Sequence, residues 1–187
     1  MSRRDDRLHP PLFPAPATVR LVPLQPEPPS ADLLRWLASA LQQYLHSPVP
    51  IVSEMPAERT WRVGDSAQLS SSAIVDTLME RFPGDTEEQA TWTLGLTSCD
   101  LVGGGRAFVF GEATRGGAWA VVSSARLGAP GTAPFRERLL KESLHELGHL
   151  AGLGHCAGED CLMAAAVDII AVDRRPLELC RNCRAAL

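Results

Sequence analysis

The stretch from His145 to Met163, HELGHLAGLGHCAGEDCLM, gathers three of the chain's five histidines and two of its five cysteines. On an α-helix, residues four apart share a face with Cβ atoms about 5–6 Å apart, so His145 and His149 can grip one ion. Zinc bonds imidazole nitrogen at about 2.0–2.1 Å, which rings on adjacent turns supply without distortion. Glu146, beside the first ring, can reach a water on that ion rather than the ion itself. A third ligand from the next turn would lie too far along the axis, so the chain must bend back. Gly152 permits the bend, because glycine adopts left-handed dihedrals at a helix C-terminus, and Gly154 adds freedom before His155. Three histidines leave one tetrahedral position for water, which marks a catalytic rather than a structural zinc. HExxH alone arises by accident on surface helices; the added glycine and histidine meet two independent geometric needs.

A second constellation overlaps the first. Cys156 follows the third histidine directly, Cys161 comes five later, and CRNC supplies Cys180 and Cys183. Four thiolates in two pairs can close a tetrahedral zinc site and staple the C-terminal segment. Disulfides and CxxC redox chemistry are the alternatives. Clustering without a secretion signal favours metal, and no strand-to-helix junction that would lower a thiol pKa is expected at the CxxC. Cys99 is left over and reads as a small buried hydrophobe.

Outward from this stretch, PFRERLLKESLHELGHLAG reads as a helix with Leu140, Leu144, Leu147 and Ala151 along one stripe. Upstream, ATVRLVPLQ, PVPIVSEMP, TWTLGLT, RAFVFGEA and GAWAVVSSARL read as five strands rich in β-branched and aromatic residues. Two helices are interspersed. One follows the N-cap candidate Ser30, with Leu33, Leu34, Leu37, Leu41 and Leu45 at helical spacing; the other is SSAIVDTLMERF. The order βαβαβββ then helix implies a compact α/β domain with a mixed five-stranded sheet covered by helices. Everything after Gly152 reads as irregular, with AAAVDIIAV a short strand or a helical turn. The glycines at 103–105 lack a Walker lysine and lead into a strand, so they read as a connection rather than a phosphate loop. The four tryptophans read as packing residues, and His9 and His46 as exposed.

At 187 residues the chain suits one domain able to bury a core. Residues 1–16, rich in proline, read as a loose arm, leaving 17–187 as the domain. Composition is that of a globular protein, with 45% hydrophobic and 21% charged residues. Neither an apolar leader nor a membrane-spanning run is evident, so a cytoplasmic location and no membrane partner are expected. A net charge of −4 with only a modest late cluster of arginines argues against nucleic acid.

The combined motif, HExxHxxGxxHC with Cys161, Met163 and a later CxxC, resembles the archaemetzincin family of metzincin-clan zinc metallopeptidases. The resemblance extends through LGLTSCDL, FVFGEA, AVVSSARL and VDRRPLELCRNC. It implies a metzincin-like fold with a twisted mixed sheet above a cleft, two zinc ions, and a peptide or protein substrate cleaved by a protein expected to be a monomer. Under it, His145, His149 and His155 would hold catalytic zinc, and Glu146 would be the general base and acid. Cys156, Cys161, Cys180 and Cys183 would hold structural zinc. Met163 would be the Met-turn methionine, with ordinary core packing as its alternative. An edge strand at AFVFG would align substrate. The implied reaction is hydrolysis by a zinc-bound water that Glu146 activates, aminopeptidase-type action being one option. The sole tyrosine, Tyr44, lies in the first helix, away from any oxyanion role. Rival readings are a zinc-binding interaction protein without turnover and a purely structural two-zinc module.

Overall fold

Thr91–Thr97 forms the central strand β3, buried along almost all its length. It pairs in parallel with β1 (Thr18–Pro23) on one side and β7 (Trp119–Ser123) on the other. A short antiparallel strand, β6 (Gly111–Ala113), closes the far edge, so the order is β1-β3-β7-β6. The computed structural model that shows this describes residues 10–14, 16, 18–83 and 91–187.

A parallel sheet centre is covered on both faces, and the side chains divide accordingly. Val19, Leu21, Leu94, Leu96, Ala120 and Val122 join one core with helices α1 (Ala31–Leu45) and α3 (Ala133–Leu150). Val22, Leu24 and Val121 join a second core with α2 (Ser71–Arg81). Gly95 sits on that second face. A Cβ there would meet the Leu24 and Leu78 side chains at 2.9 and 3.1 Å, so the bare backbone sets how closely α2 approaches.

The helices start where the sequence offers caps. Ser30, Ser70 and Thr132 each accept a hydrogen bond from a backbone N–H three residues on, satisfying a first-turn donor. Leu37, Leu41 and Leu45 of α1 are fully buried, each contributing roughly 1.5–3 kcal/mol. Helix α3 departs from the single-stripe expectation: it is buried on nearly every side, between the sheet, α1 and α4 (Ile169–Arg174). That is the burial of a central helix rather than a surface one.

The α/β class and the mixed sheet hold, but the strands divide between two sheets. Leu69–Ser70 (β2), Leu101–Gly103 (β4) and Arg106–Val109 (β5) form a smaller sheet in the order β2-β4-β5. RAFVFGEA is therefore one extended segment serving both, β5 pairing with β4 and β6 with β7, with buried Phe110 at the changeover. PVPIVSEMP runs beside β1 but makes only the isolated bridges Leu21–Ile51 and Leu24–Met55. Its prolines lack the N–H groups a full ladder needs. Beyond Gly152 the chain is less irregular than expected. AAAVDIIAV supplies α4, capped by Asp168, and the CxxC opens a further short helix, α5 (Arg181–Ala185).

Within the expected loose arm, residues 1–9, and with them His9, lie outside the described residues. Leu12 and Phe13 do not behave as an arm: both are buried in the α1–α3 core. The Leu12 N–H donates to the Tyr44 carbonyl at 2.9 Å, and Ser47 Oγ donates to the Pro16 carbonyl at 2.6 Å. Proline removes donors, yet it leaves carbonyls and apolar neighbours free to dock. Trp61 and Trp92 are buried, Trp36 and Trp119 half-buried, Cys99 buried, and His46 exposed at the left-handed C-cap of α1. Among the described residues no helix is long and apolar enough to cross a membrane.

Candidate metal centres and cleft

His145, His149 and His155 come together with one ring nitrogen from each within 4.8 Å of the others. His145 Nδ1 bonds the Leu162 carbonyl at 2.9 Å, and His149 Nδ1 bonds the Leu153 carbonyl at 2.8 Å. A carbonyl only accepts, so each Nδ1 carries the proton and each Nε2 presents a lone pair. Those two Nε2 atoms face one another at 3.1 Å. Two lone pairs held this close repel each other unless a cation lies between them. The donor set and its carbonyl support therefore fit a zinc ion. Burial holds the His145 and His149 pKa values below the ordinary histidine range, and nearby Arg175 adds to the effect on both. His155 is lowered as well, by burial and by His149. All three rings are thereby kept neutral for metal.

The bend works through a defined helix ending. Gly152 has φ +95°. Its N–H donates to the His149 carbonyl at 2.9 Å, and the Leu153 N–H to the Gly148 carbonyl at 3.0 Å, the pair of bonds of a Schellman motif. The same turn thus points the Leu153 carbonyl at His149. Gly154 plays another part than expected: its φ is not left-handed, and a Cβ there would sit 3.3 Å from the Arg115 guanidinium. It makes room for Arg115, whose Nε donates to the Gly152 carbonyl at 3.0 Å and fastens the turn.

Two further glycines seat candidate site residues, and the sequence reading passed over both. A Cβ on Gly148 would run into Met163 Sδ and lie 3.1 Å from its Cε. Fully buried Met163 consequently packs directly on α3 between the first two histidines. A Cβ on Gly111 would lie 2.7 Å from Glu146 Cγ, Glu146 Oε1 and the Val121 carbonyl. The missing side chain on β6 is the space Glu146 occupies. A mid-helix glycine and a strand glycine are the signals that could have flagged both, since each weakens its element without a packing reason.

Glu146 is 5% exposed, and burial, aided by Glu142 and Glu112, pushes its carboxyl well above the ordinary range; Arg175 opposes the rise. One turn earlier, Glu142 meets Arg175 at 3.1 Å, the side chains 2% and 3% exposed. Burial raises Glu142 to about 7 in spite of that arginine. The pair was also absent from the sequence reading, although Glu142 and Glu146 share a helix face. These residues line a cleft of about 590 Å³ with His145, His155, the β5–β6 segment and Ala165–Val167. A smaller lobe of about 360 Å³ lies past His149, lined by Glu112 and Arg115. The β5–β6 segment is the outer strand of both sheets, and Phe108 and Phe110 meet edge-to-face there at 5.3 Å.

Cys156, Cys161, Cys180 and Cys183 bring their sulfurs within 4.8 Å of one another. Cys156 and Cys180 Sγ lie 3.7 Å apart, far beyond a disulfide bond of about 2.05 Å and suited to thiolates about 2.3 Å from a common ion. Backbone N–H groups of Gly158, Cys180 and Cys183 point at three of the sulfurs, at 3.4–3.5 Å. Contrary to the sequence reading, the CxxC does sit at a helix start: Cys180 caps α5, and the Cys183 N–H brings its thiol down to about 7. The two clusters share a hinge. Cys156 donates its N–H to the Met163 carbonyl at 2.7 Å, which fixes the direction in which His155 leaves the backbone.

The profile of peptidase family M54 matches residues 56–187. Archaemetzincin from Archaeoglobus fulgidus is 44% identical over 95 residues, 51% of this chain. That from Methanopyrus kandleri is 42% identical over 120 residues, 64% of this chain. The chain spans 59% and 66% of the lengths of these two relatives. The crystal structure of the Archaeoglobus fulgidus archaemetzincin, complexed with malonate, superposes with a TM-score of 0.80 at 31% identity, covering 91% of this chain and 99% of that one. With the family profile spanning most of the chain and an archaemetzincin structure matching its fold, the chain belongs to peptidase family M54, the archaemetzincins.

Proposed function

We propose that this chain is a zinc metallopeptidase that hydrolyses a peptide bond in the cleft between α3 and the β5–β6 segment. The observation that carries the reading is the buried carboxylate of Glu146 beside three convergent neutral imidazoles at an open cleft. His145, His149 and His155 would hold one zinc, and the four cysteines a second, structural one. At the imidazoles zinc supplies Lewis acidity, lowering the pKa of a coordinated water and polarising the scissile carbonyl.

The chain's own groups do the rest. Leu162 and Leu153 carbonyls fix the tautomers of the first two histidines, and exposed His155 completes the set at the cleft mouth. Glu146, made more basic by burial, takes the attacking water's proton at a carboxylate oxygen and returns it to the leaving amine. The outer β5–β6 segment can pair with an extended peptide, giving main-chain alignment across the cleft. The partner is accordingly a peptide or an unfolded stretch of protein. Incubation of zinc-loaded protein with a diverse peptide library, read by mass spectrometry, tests this. Cleavage by wild type and its loss in Glu146→Ala are expected; equal cleavage by both, or none by either, would overturn the proposal.

A further inference from the structure

The buried Glu142–Arg175 pair has no place in that chemistry, yet it lies in the wall of the cleft. Arg175 caps the end of α4, and α4 is pinned to α3 from two sides. Arg138 makes two bonds to the Asp173 carboxylate at 2.6 and 2.7 Å, and Lys141 Nζ donates to the Asp173 carbonyl at 3.1 Å. The guanidinium is thus delivered to one place on a rigid mount. Among the described residues its Nε and Nη1 make no hydrogen bond, and the facing Glu142 Oε1 makes none either, so the 3.1 Å contact is an ion pair without aligned donors. A purely structural arginine spends its N–H groups on carboxylates and carbonyls, because leaving them unpaired inside a protein is costly. This one keeps unpaired, solvent-shielded donors and a positive charge in the wall of the cleft that the reacting groups share.

We infer that Arg175 is a specificity-determining residue that recognises a substrate carboxylate, either an acidic side chain or a free chain end, on the side of the cleft walled by Ala165–Val167. The inference rests on the peptidase reading for its substrate. The neighbouring walls suit such a substrate: Phe108 and Phe110 line the same cleft, and apolar surroundings strengthen a charged contact made there. Arg106 lines the same cleft but is exposed on the β4–β5 hairpin, where water screens its charge. Glu142 limits the attraction, since it neutralises part of the arginine's charge in the free protein.

That last point gives a test a merely structural role would not satisfy. Two matched peptide sets are used, one exchanging an internal Glu for Gln and one exchanging a free C-terminal carboxylate for an amide. Cleavage is measured with zinc-loaded protein, and binding by fluorescence anisotropy with the Glu146→Ala background, which needs no turnover. Wild type is expected to prefer the carboxylate member of at least one set by about tenfold or more. Glu142→Gln should enlarge the preference, because it frees the guanidinium. Glu142→Gln combined with Arg175→Met, which removes both buried charges together and keeps the volume, should abolish it, whereas Arg106→Gln should leave it unchanged. Preference within one set identifies the carboxylate as side chain or chain end. Arg175-dependent binding without any cleavage would leave this inference standing while the peptidase reading fell. No carboxylate preference in wild type, a smaller one in Glu142→Gln, or its survival in the double variant would overturn it.

Discussion

The candidate site residues depend on neighbours that the motif does not name. Glu146→Gln should keep both zinc ions and lose about 10²–10⁴-fold in cleavage rate, the contribution of one positioned acid–base group; elemental analysis beside the rate assay separates the two effects. Gly111→Ala should mimic it at lower amplitude. The added Cβ would meet Glu146 and the Val121 carbonyl at 2.7 Å, and the backbone oxygen cannot yield. Overpacking of this kind costs about 1–3 kcal/mol, so a lower midpoint in thermal unfolding should accompany the loss of activity. The pH response follows from the imidazoles. All three have depressed pKa values, first through burial, so the folded protein takes up protons only below the range of an ordinary histidine. Three ordinary histidines with pKa near 6.5 would lose about sixfold in zinc affinity between pH 7.5 and 6.5. Competition titrations at pH 7.5 and 6.5 should show a markedly smaller drop here. In the metal-free protein the same shifts mean that their contribution to stability is intact above about pH 6.5 and falls away as acid forces them to charge. The histidine and cysteine clusters were legible because side-chain type and spacing define them. Gly111, Gly148 and Arg175 were not, because what they touch is distant in sequence.

Among the elements, α3 and its ending carry the most. The Gly152 dihedral of +95° and the two bonds of the Schellman motif turn the chain so that His155 can join His145 and His149. Gly152→Ala leaves open space around the new Cβ but imposes left-handed backbone on alanine, about 1–2 kcal/mol. Weaker binding of the imidazole-held zinc is expected, with the cysteine cluster intact, and metal titration with a thiol-insensitive chelator measures it. Cys156→Ser acts from the other side of the hinge and should weaken both sites; unchanged affinity at the imidazole site would contradict the shared-hinge account. The helices and the cap residues Ser30, Ser70 and Thr132 could be read from the sequence because caps and apolar spacing are local. The division of the strands into two sheets could not. RAFVFGEA carries one strand's pattern, and only its partners β4 and β7, fixed by tertiary contact, show that it serves two sheets. The short α4 was likewise ambiguous in AAAVDIIAV, where a handful of apolar residues suits either a strand or a helical turn.

Across the whole molecule, a two-faced sheet holds α3 between layers and leaves the imidazoles at one edge of the cleft, with the cysteine cluster on the far side of the 155–156 peptide. Leu12 and Phe13 extend that support. Phe13 lies in the same core as Met163, and a Cβ on Gly148 would sit 3.3 Å from its ring. A segment that reads as a proline-rich arm therefore buttresses the floor of the site, something composition conceals because proline signals only the lack of a ladder. As proposed, residues 145–163 supply all three imidazoles of an open zinc centre and two of the four sulfurs of a closed one, which Cys180 and Cys183 complete. Zinc-edge X-ray absorption on the zinc-saturated protein, with and without a hydroxamate ligand, tests this arrangement most directly. Two zinc ions per chain are expected, with a summed spectrum of one four-sulfur shell and one nitrogen–oxygen shell, and a change on adding hydroxamate confined to the nitrogen–oxygen part. A single zinc, an average shell far from two sulfur and two nitrogen or oxygen neighbours per ion, or a spectrum that hydroxamate leaves unaltered would contradict it.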